Sequence, residues 1–318
     1  MRRSATSLIR CAKALLVVAV GFLYVDCLAG FAARAQSQQQ PSINLGARTW
    51  GATEALRATP PTDREPPPTI QFSAKAGIAS DYIYRGVTLS DRRPAVGAGV
   101  EATYHWLYAG ATAASVKLPT QPTAEFTTSG GLRPTWGPVE FDLGVTYFAY
   151  PGEVRGGPTN GIDYWETAFR AVAPVGESIR VAGGFAYSPN ISNTGAWGQY
   201  AAAGLGFEVP ARLLPPDVGA SFTTAAGYSW FGRQVPALGG FELPAYLNWQ
   251  AGVTFSYKSM NIDFRYYDTN LSKENCFVFT GDPNAAPGGH INSITNPDGL
   301  TSRWCSATLV AKFWFELK

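Results

Sequence analysis

Histidine is nearly missing from this sequence: His105 and His290 are the only two in 318 residues. That scarcity argues against hydrolysis by a histidine base beside a nucleophile, and it leaves too few ligands for a zinc site. Charge is scarce too, at 15% of residues against about 25% in soluble domains. After the N-terminal region there is no apolar run of the roughly 18 residues that a membrane-spanning helix needs. A β-barrel is not excluded by that test, because only alternate residues of its strands must be apolar.

A lasting excess of positive charge is also lacking. The formal net charge of +2 depends on the N-terminus, where Arg2, Arg3, Arg10 and Lys13 precede an apolar run over residues 14–25. Ala33-Arg34-Ala35 then offers a small-x-small cleavage site, so residues 1–35 read as a cleaved signal peptide. Asp26 in the second half of the run argues against a retained span. Removing residues 1–35 takes away four Arg, one Lys and Asp26, leaving 20 basic against 22 acidic residues. Nucleic acid is therefore not an expected partner. Two of the four cysteines leave with the leader, and the remaining pair, Cys276 and Cys305, predicts a disulfide in an exported chain. Residues 36–69 are polar and proline-rich, which predicts a disordered periplasmic lead-in.

What is present is alternation. From Ile70, every second residue except Ser80 is apolar (Phe72, Ala74, Ala76, Ile78, Tyr82, Tyr84) and the intervening ones include Gln71, Ser73, Lys75, Asp81 and Arg85. This is the period of a strand, here drawn as one long strand over residues 70–86. The same rhythm recurs over residues 95–106, 107–116, 123–133, 139–150, 165–173 and 178–187. It continues over 199–209, 218–230, 246–257, 260–269 and 302–317. About twelve strands result, joined alternately by short turns and longer loops. The predicted fold is all-β, a transmembrane antiparallel up-and-down β-barrel over residues 70–318 in the bacterial outer membrane, with both ends on the periplasmic side.

Around eight strands, side chains can fill a barrel; about twelve leave more room, so the lumen should be wet and the charged face should line it. The pore-lining candidates are Lys75, Asp81, Arg85, Glu101, Glu125, Arg133, Glu140, Asp142, Glu166, Arg170, Arg180, Glu208, Asp263, Arg265 and Lys312, with Glu316 on the same face. Both signs are mixed, which predicts pairing across the wall rather than strong ion selectivity. Aromatic residues near strand ends, among them Tyr82, Tyr84, Tyr104, Trp106, Tyr228, Trp230, Tyr257, Trp304, Phe313 and Phe315, are expected to form interfacial girdles against outer-membrane lipid.

Three local patterns carry chemistry only at first glance. Gly97 and Gly99 suggest a dinucleotide loop, but alternation runs straight through them and the helix such a loop needs is missing, so no cofactor is expected. His105 reads as a polar wall residue near a periplasmic turn and His290 as part of a loop. Asp282 and Asp298 lack the spacing of a calcium loop, and no metal is expected.

The segment Ser80-Asp81-Tyr82-Ile83-Tyr84-Arg85-Gly86-Val87-Thr88 resembles the opening signature of the TorF-type family of outer-membrane porins. The likeness continues through Ser90-Asp91, Pro94-Ala95-Val96, Tyr108-Ala109-Gly110, Phe141-Asp142-Leu143-Gly144, Tyr150-Pro151-Gly152 and Asp163-Tyr164-Trp165-Glu166. Two departures stand out: Ala113-Ala114-Ser115-Val116 replaces a Ser-Asn pair, and the chain ends on Lys318 rather than an aromatic. The resemblance implies a porin-like barrel of loosely defined substrate, without enzymatic activity; the wet lumen of mixed charge predicts general or weakly selective diffusion of small hydrophilic solutes. Barrel-assembly machinery would then read the last strand at Phe313 and Phe315. A closed barrel displaying its loops for adhesion is the alternative. Arg85 has two readings, a fixed cation at the mouth paired with Asp81 or Asp91, or a structural arginine holding the first loop.

Overall fold

The computed structural model describes residues 69–154 and 161–317. The expected signal peptide and, apart from Thr69, the proline-rich lead-in lie outside the described residues. Twelve long strands build the fold. The first four are β1 (Gln71–Ala79), β2 (Ala95–Tyr104), β3 (Leu107–Ala114) and β4 (Glu125–Leu132). Next come β5 (Val139–Ala149), β6 (Tyr164–Val175), β7 (Ile179–Ser188) and β8 (Gly198–Glu208). The last are β9 (Val218–Phe231), β10 (Tyr246–Tyr257), β11 (Met260–Thr269) and β12 (Thr308–Leu317).

Each strand pairs antiparallel with its successor, and β12 pairs back onto β1 with Phe313 opposite Ile78. The chain is therefore a closed twelve-strand up-and-down β-barrel. Closure leaves no sheet edge, so backbone donors and acceptors in the wall are satisfied within the sheet. An even strand number brings the start of β1 and the end of β12 to the same rim, the one with the short turns. In outer-membrane barrels the opposite rim, with the longer loops, faces outward.

Side chains sort by parity. On β1, Ser73 and Lys75 are buried while Phe72 is 72% and Ile78 56% exposed. The same holds around the wall, with Val100, Val145, Phe169, Leu205, Phe222 and Phe264 outward. Tyr147, Trp165, Tyr187 and Trp230 stand exposed near the long-loop rim, and Tyr104, Trp106, Tyr257 and Phe315 near the other. These are the two aromatic girdles of a membrane barrel.

Two strand boundaries differ from the sequence expectation by more than two residues. β1 stops at Ala79 instead of running to residue 86, and β12 starts at Thr308 instead of 302. Alternation survives past Ser80 in the sequence, but the chain there leaves the wall and turns into the lumen. Ile83–Tyr84 and Val87–Thr88 form a two-stranded ribbon, with Arg85 (φ 47°) and Gly86 (φ 83°) as its two turn residues. Positive φ at both central positions is the hairpin turn whose twist suits a tight ribbon, and it puts a non-glycine residue in the left-handed region. Tyr82, Tyr84 and Trp304 are consequently buried inside the barrel, not exposed in a girdle.

Candidate functional site

The inward ribbon is fastened to the longest loop. Thr88 N–H donates to the Trp304 carbonyl at 3.0 Å, and Trp304 Nε1 donates to Asp91 Oδ1 at 3.0 Å. Within the segment, Thr88 Oγ1 (2.5 Å) and Ser90 Oγ (2.9 Å) both donate to Asp81 Oδ1. Burial pushes the Asp81 carboxyl above its ordinary range, against the opposite pull of those two hydrogen bonds. Asp81 is thus a brace of the ribbon.

The loop that receives the ribbon is itself pinned. Helix α1 (Lys273–Thr280) starts at Ser272, whose side chain accepts from Asn275 N–H, and ends at Gly281 in the left-handed conformation. Cys276 on α1 and Cys305 form the expected disulfide. Phe279 extends from the same helix into an apolar cluster with Phe231, Leu243, Tyr246 and Trp304. Phe148 and Tyr164 stack at 4.6 Å between ring centres. The outer half of the barrel therefore has a hydrophobic core, as a soluble domain would.

Arg85 lies beneath this core. Its Nη2 donates to Glu166 Oε1 at 2.8 Å, and the two side chains are 6% and 2% exposed. The guanidinium carbon sits 4.2 Å from the Tyr200 ring centre and 4.6 Å from that of Tyr84. Burial of such a pair is tolerable only with partners this close. The expected pairing with Asp81 or Asp91 is not what forms. The Arg85 partner comes from β6, because the ribbon carries Arg85 across the lumen.

Toward the short-turn rim the interior changes character. Arg133 makes a bidentate pair with Glu101 (2.6 and 2.9 Å), reaches Asp142 at 3.2 Å, and lies 3.8 Å from the Tyr108 ring centre. Asp142 also accepts from Arg170 at 3.3 Å and from the Tyr108 hydroxyl at 3.1 Å. Arg180 pairs with Glu140 at 3.1 Å, Arg265 with Asp263 at 2.9 Å, and Lys75 with Glu316 at 3.8 Å. Lys312 donates to the Tyr267 hydroxyl, and Glu125, nearer the outer rim, accepts from Tyr82 and Tyr150. Glu208 lines a polar cavity of about 530 Å³ at the short-turn end, along with Lys75, Lys258 and Glu316.

Every charged residue singled out from the sequence thus faces the interior, and most are drawn into mixed-sign pairs, with Asp81, Glu125 and Lys312 bonded to hydroxyl groups instead. A wide wet lumen is not what they surround. Arg265, Asp263, Glu125 and Thr223 are almost fully buried, which requires protein rather than open water against them. Twelve strands do leave spare room, and the ribbon, α1 and the long polar side chains take it up.

Sequence reasoning missed the tyrosines of the inner wall. Tyr200 lies over Gly227 of the neighbouring strand, where a Cβ would collide with its ring, and Tyr108 passes over Gly131 of its neighbouring strand to put its hydroxyl against Gly144 one strand further on. Their signal was available: an inward-parity tyrosine beside a glycine on the next strand. The apolar cup residues Ile191, Phe231, Leu243 and Phe279 carried no such signal, because all four lie outside the alternating strands or at their ends.

Other local expectations resolve simply. β2 runs unbroken through Gly97 and Gly99. His105 occupies the tight β2–β3 turn with φ 51°, edge-on to Tyr104. Asp282 accepts from Ser302 and from Asn284 N–H within the long loop. Among the described residues no cluster of His, Cys, Asp or Glu could hold a metal ion.

Comparison with known proteins adds the following. The profile of a family described as "Bacterial protein of unknown function (Gcw_chp)" matches residues 63–286. No curated protein matches the sequence. Among solved structures, LpxR from Salmonella typhimurium is similar at 8% identity and a TM-score of 0.40, covering 76% of this chain and 99% of its own. OmpT of Vibrio cholerae, an outer membrane protein in trimer form, is similar at 10% identity and TM-score 0.33, covering 78% and 99%. CdiB from Escherichia coli is similar at 10% identity and TM-score 0.36, covering 81% and 66%. Likeness at this level speaks for a barrel and for nothing finer. One expectation is withdrawn: the barrel fold does not by itself exclude catalysis, so the absence of enzymatic activity is not retained.

Proposed function

Because the chain belongs to this bacterial family of unknown function, its role must be argued from the barrel interior, and we propose a narrow outer-membrane channel of the porin type. It passes small hydrophilic solutes through a lumen constricted where Arg85 meets Glu166. The TorF-type resemblance of residues 80–88 points the same way, and those residues form the inward ribbon. One observation carries the reading: charged side chains gather on the interior face from rim to rim, while the exterior is apolar. A barrel that only had to stand in lipid would have no use for so much buried charge, since apolar packing of equal volume is often as stable. General diffusion, the first expectation from the strand count, gives way to restricted passage because the ribbon and its ion pair narrow the path. Mixed-sign pairs along the wall give weak preference between anions and cations.

In this reading the aromatic girdles meet lipid, the long loops face outside, and the assembly machinery engages β12 through the outward-facing Phe313 and Phe315. Single-channel recording in planar bilayers tests it. The native protein should give small conductance steps, Arg85→Ala should enlarge them and shift the anion-to-cation permeability ratio, and removal of residues 81–90 should enlarge them further. A barrel that stays silent in all three forms ends the channel reading. The apolar cluster closing the outer half supports a second reading, a sealed barrel whose disulfide-pinned loop engages a partner, and silence in all forms would favour it.

A further inference from the structure

Above Arg85 the outer half of the barrel is not filled. A cavity of about 270 Å³ remains between the inward ribbon and the loops, just below the roughly 300–1,000 Å³ usual for small-molecule sites. Its walls are mostly apolar and include Tyr164, Phe231, Tyr246, Phe279 and Trp304. Among the described residues Arg85 is the only charged one on the lining, and its ion-pair partner Glu166 does not line the cavity. Of the guanidinium nitrogens, Nη2 is bonded to Glu166 and Nε has no hydrogen-bond partner. The side chain is more than nine-tenths buried and fixed by a hairpin turn that holds Arg85 in the left-handed region. Such backbone geometry at a non-glycine residue persists only where the surroundings enforce it, and it clusters at ligand sites.

We propose that this cup is a binding site for a small monoanion with a flat apolar body, of the aromatic carboxylate class. The carboxylate lies against the Arg85 guanidinium, whose planar array of donors matches it. The ring lies among the aromatic walls, where offset and edge-on contacts are favourable. A cationic ligand would meet Arg85 at the cavity's only charge, and a bare small anion would leave the apolar walls uncovered. The site does not depend on conduction, and it faces the rim by which solutes arrive.

Calorimetric titration of the refolded full-length barrel in detergent, with benzoate as the probe, tests the proposal. Benzyl alcohol, benzylamine and acetate separate the contributions of charge and ring. Saturable one-to-one binding of benzoate is expected, at least tenfold tighter than any of the other three. Arg85→Gln should cost tenfold or more in benzoate affinity while affinity for benzyl alcohol changes little. If Arg85→Gln does not fold, judged by heat-modifiable migration on gels, Leu243→Trp takes its place; it fills the cavity from the opposite wall and should abolish benzoate binding. Absence of saturable benzoate binding overturns the proposal. So does equal affinity for benzoate and benzyl alcohol or acetate, or full affinity in the Arg85→Gln or Leu243→Trp protein. Binding is read without any current, so a barrel that binds and never conducts refutes only the channel, and one that conducts without binding refutes only the cup.

Discussion

The two halves of this barrel solve the same problem in opposite ways. Twelve strands enclose more volume than wall side chains of ordinary size can fill. At the outer half the chain fills it with itself: a ribbon, a short helix and a disulfide-pinned loop pack an apolar cluster around Phe148, Tyr246 and Trp304. At the inner half it fills the space with long charged side chains that reach each other, as in the Glu101, Arg133, Asp142 and Arg170 network. An apolar core excludes water and is insensitive to salt, whereas an ion-pair network whose arginines keep some exposure (Arg133 28%, Arg170 22%) stays partly solvated and screened. Arg85 and Glu166 sit where the two regimes meet, a fully buried pair under an apolar roof.

Four substitutions would break or sharpen this contrast, from the largest effect to the smallest. Glu166→Ala leaves the Arg85 guanidinium buried without its carboxylate, and about 3–5 kcal/mol of folding free energy should be lost. Urea titration of the barrel in lipid vesicles measures it; a loss no greater than that of an exposed pair would mean that water reaches the junction. Opening the disulfide by Cys276→Ser should cost roughly 3 kcal/mol for a loop closed over a separation of 29 residues. Limited proteolysis should then cut within residues 281–300 while the strands stay protected, and unchanged digestion would mean that the apolar cluster alone holds the loop.

Gly227→Val tests the wall between the two halves. The new side chain must displace the Tyr200 ring, which flanks Arg85, at about 1–3 kcal/mol. Retained stability would mean that Tyr200 can swing aside without loss. The smallest effect is expected for Arg170→Ala. Its side chain is 22% exposed, and its partner Asp142 keeps Arg133 and Tyr108. The loss should be about 1 kcal/mol and shrink further with added salt. A loss as large as that of Glu166→Ala would erase the distinction between the halves.

Much of the wall was legible in the sequence. Period-two alternation gave twelve strands, and several of their boundaries, such as residues 246–257 and 260–269, coincide with β10 and β11. The inward face of mixed charge and the Cys276–Cys305 bond were legible for the same reason, that each follows from local residue type and parity. What misled was the stretch after Ser80. Asp81, Tyr82 and Arg85 continue the alternation of β1, yet they leave the wall, because a strand and an inward ribbon share one period and differ only in their partners. Tyr82 and Tyr84 were assigned to the girdle by that error, and the partner of Arg85 was sought nearby in sequence when it lay on β6.

The sequence by itself determined a two-faced sheet closed in lipid, since hydrocarbon outside tolerates no unpaired backbone and no charge, and that demand is written residue by residue. It also fixed which charges point inward. Only the tertiary structure decided how the enclosed space is used: which carboxylate meets Arg85, that Tyr200 and Tyr108 lie over glycines, and that a cup remains above the ribbon. Those outcomes depend on contacts between residues far apart in the chain, such as Arg92 Nη1 with the Arg303 carbonyl 211 positions away, and no local pattern encodes the meeting of such distant groups.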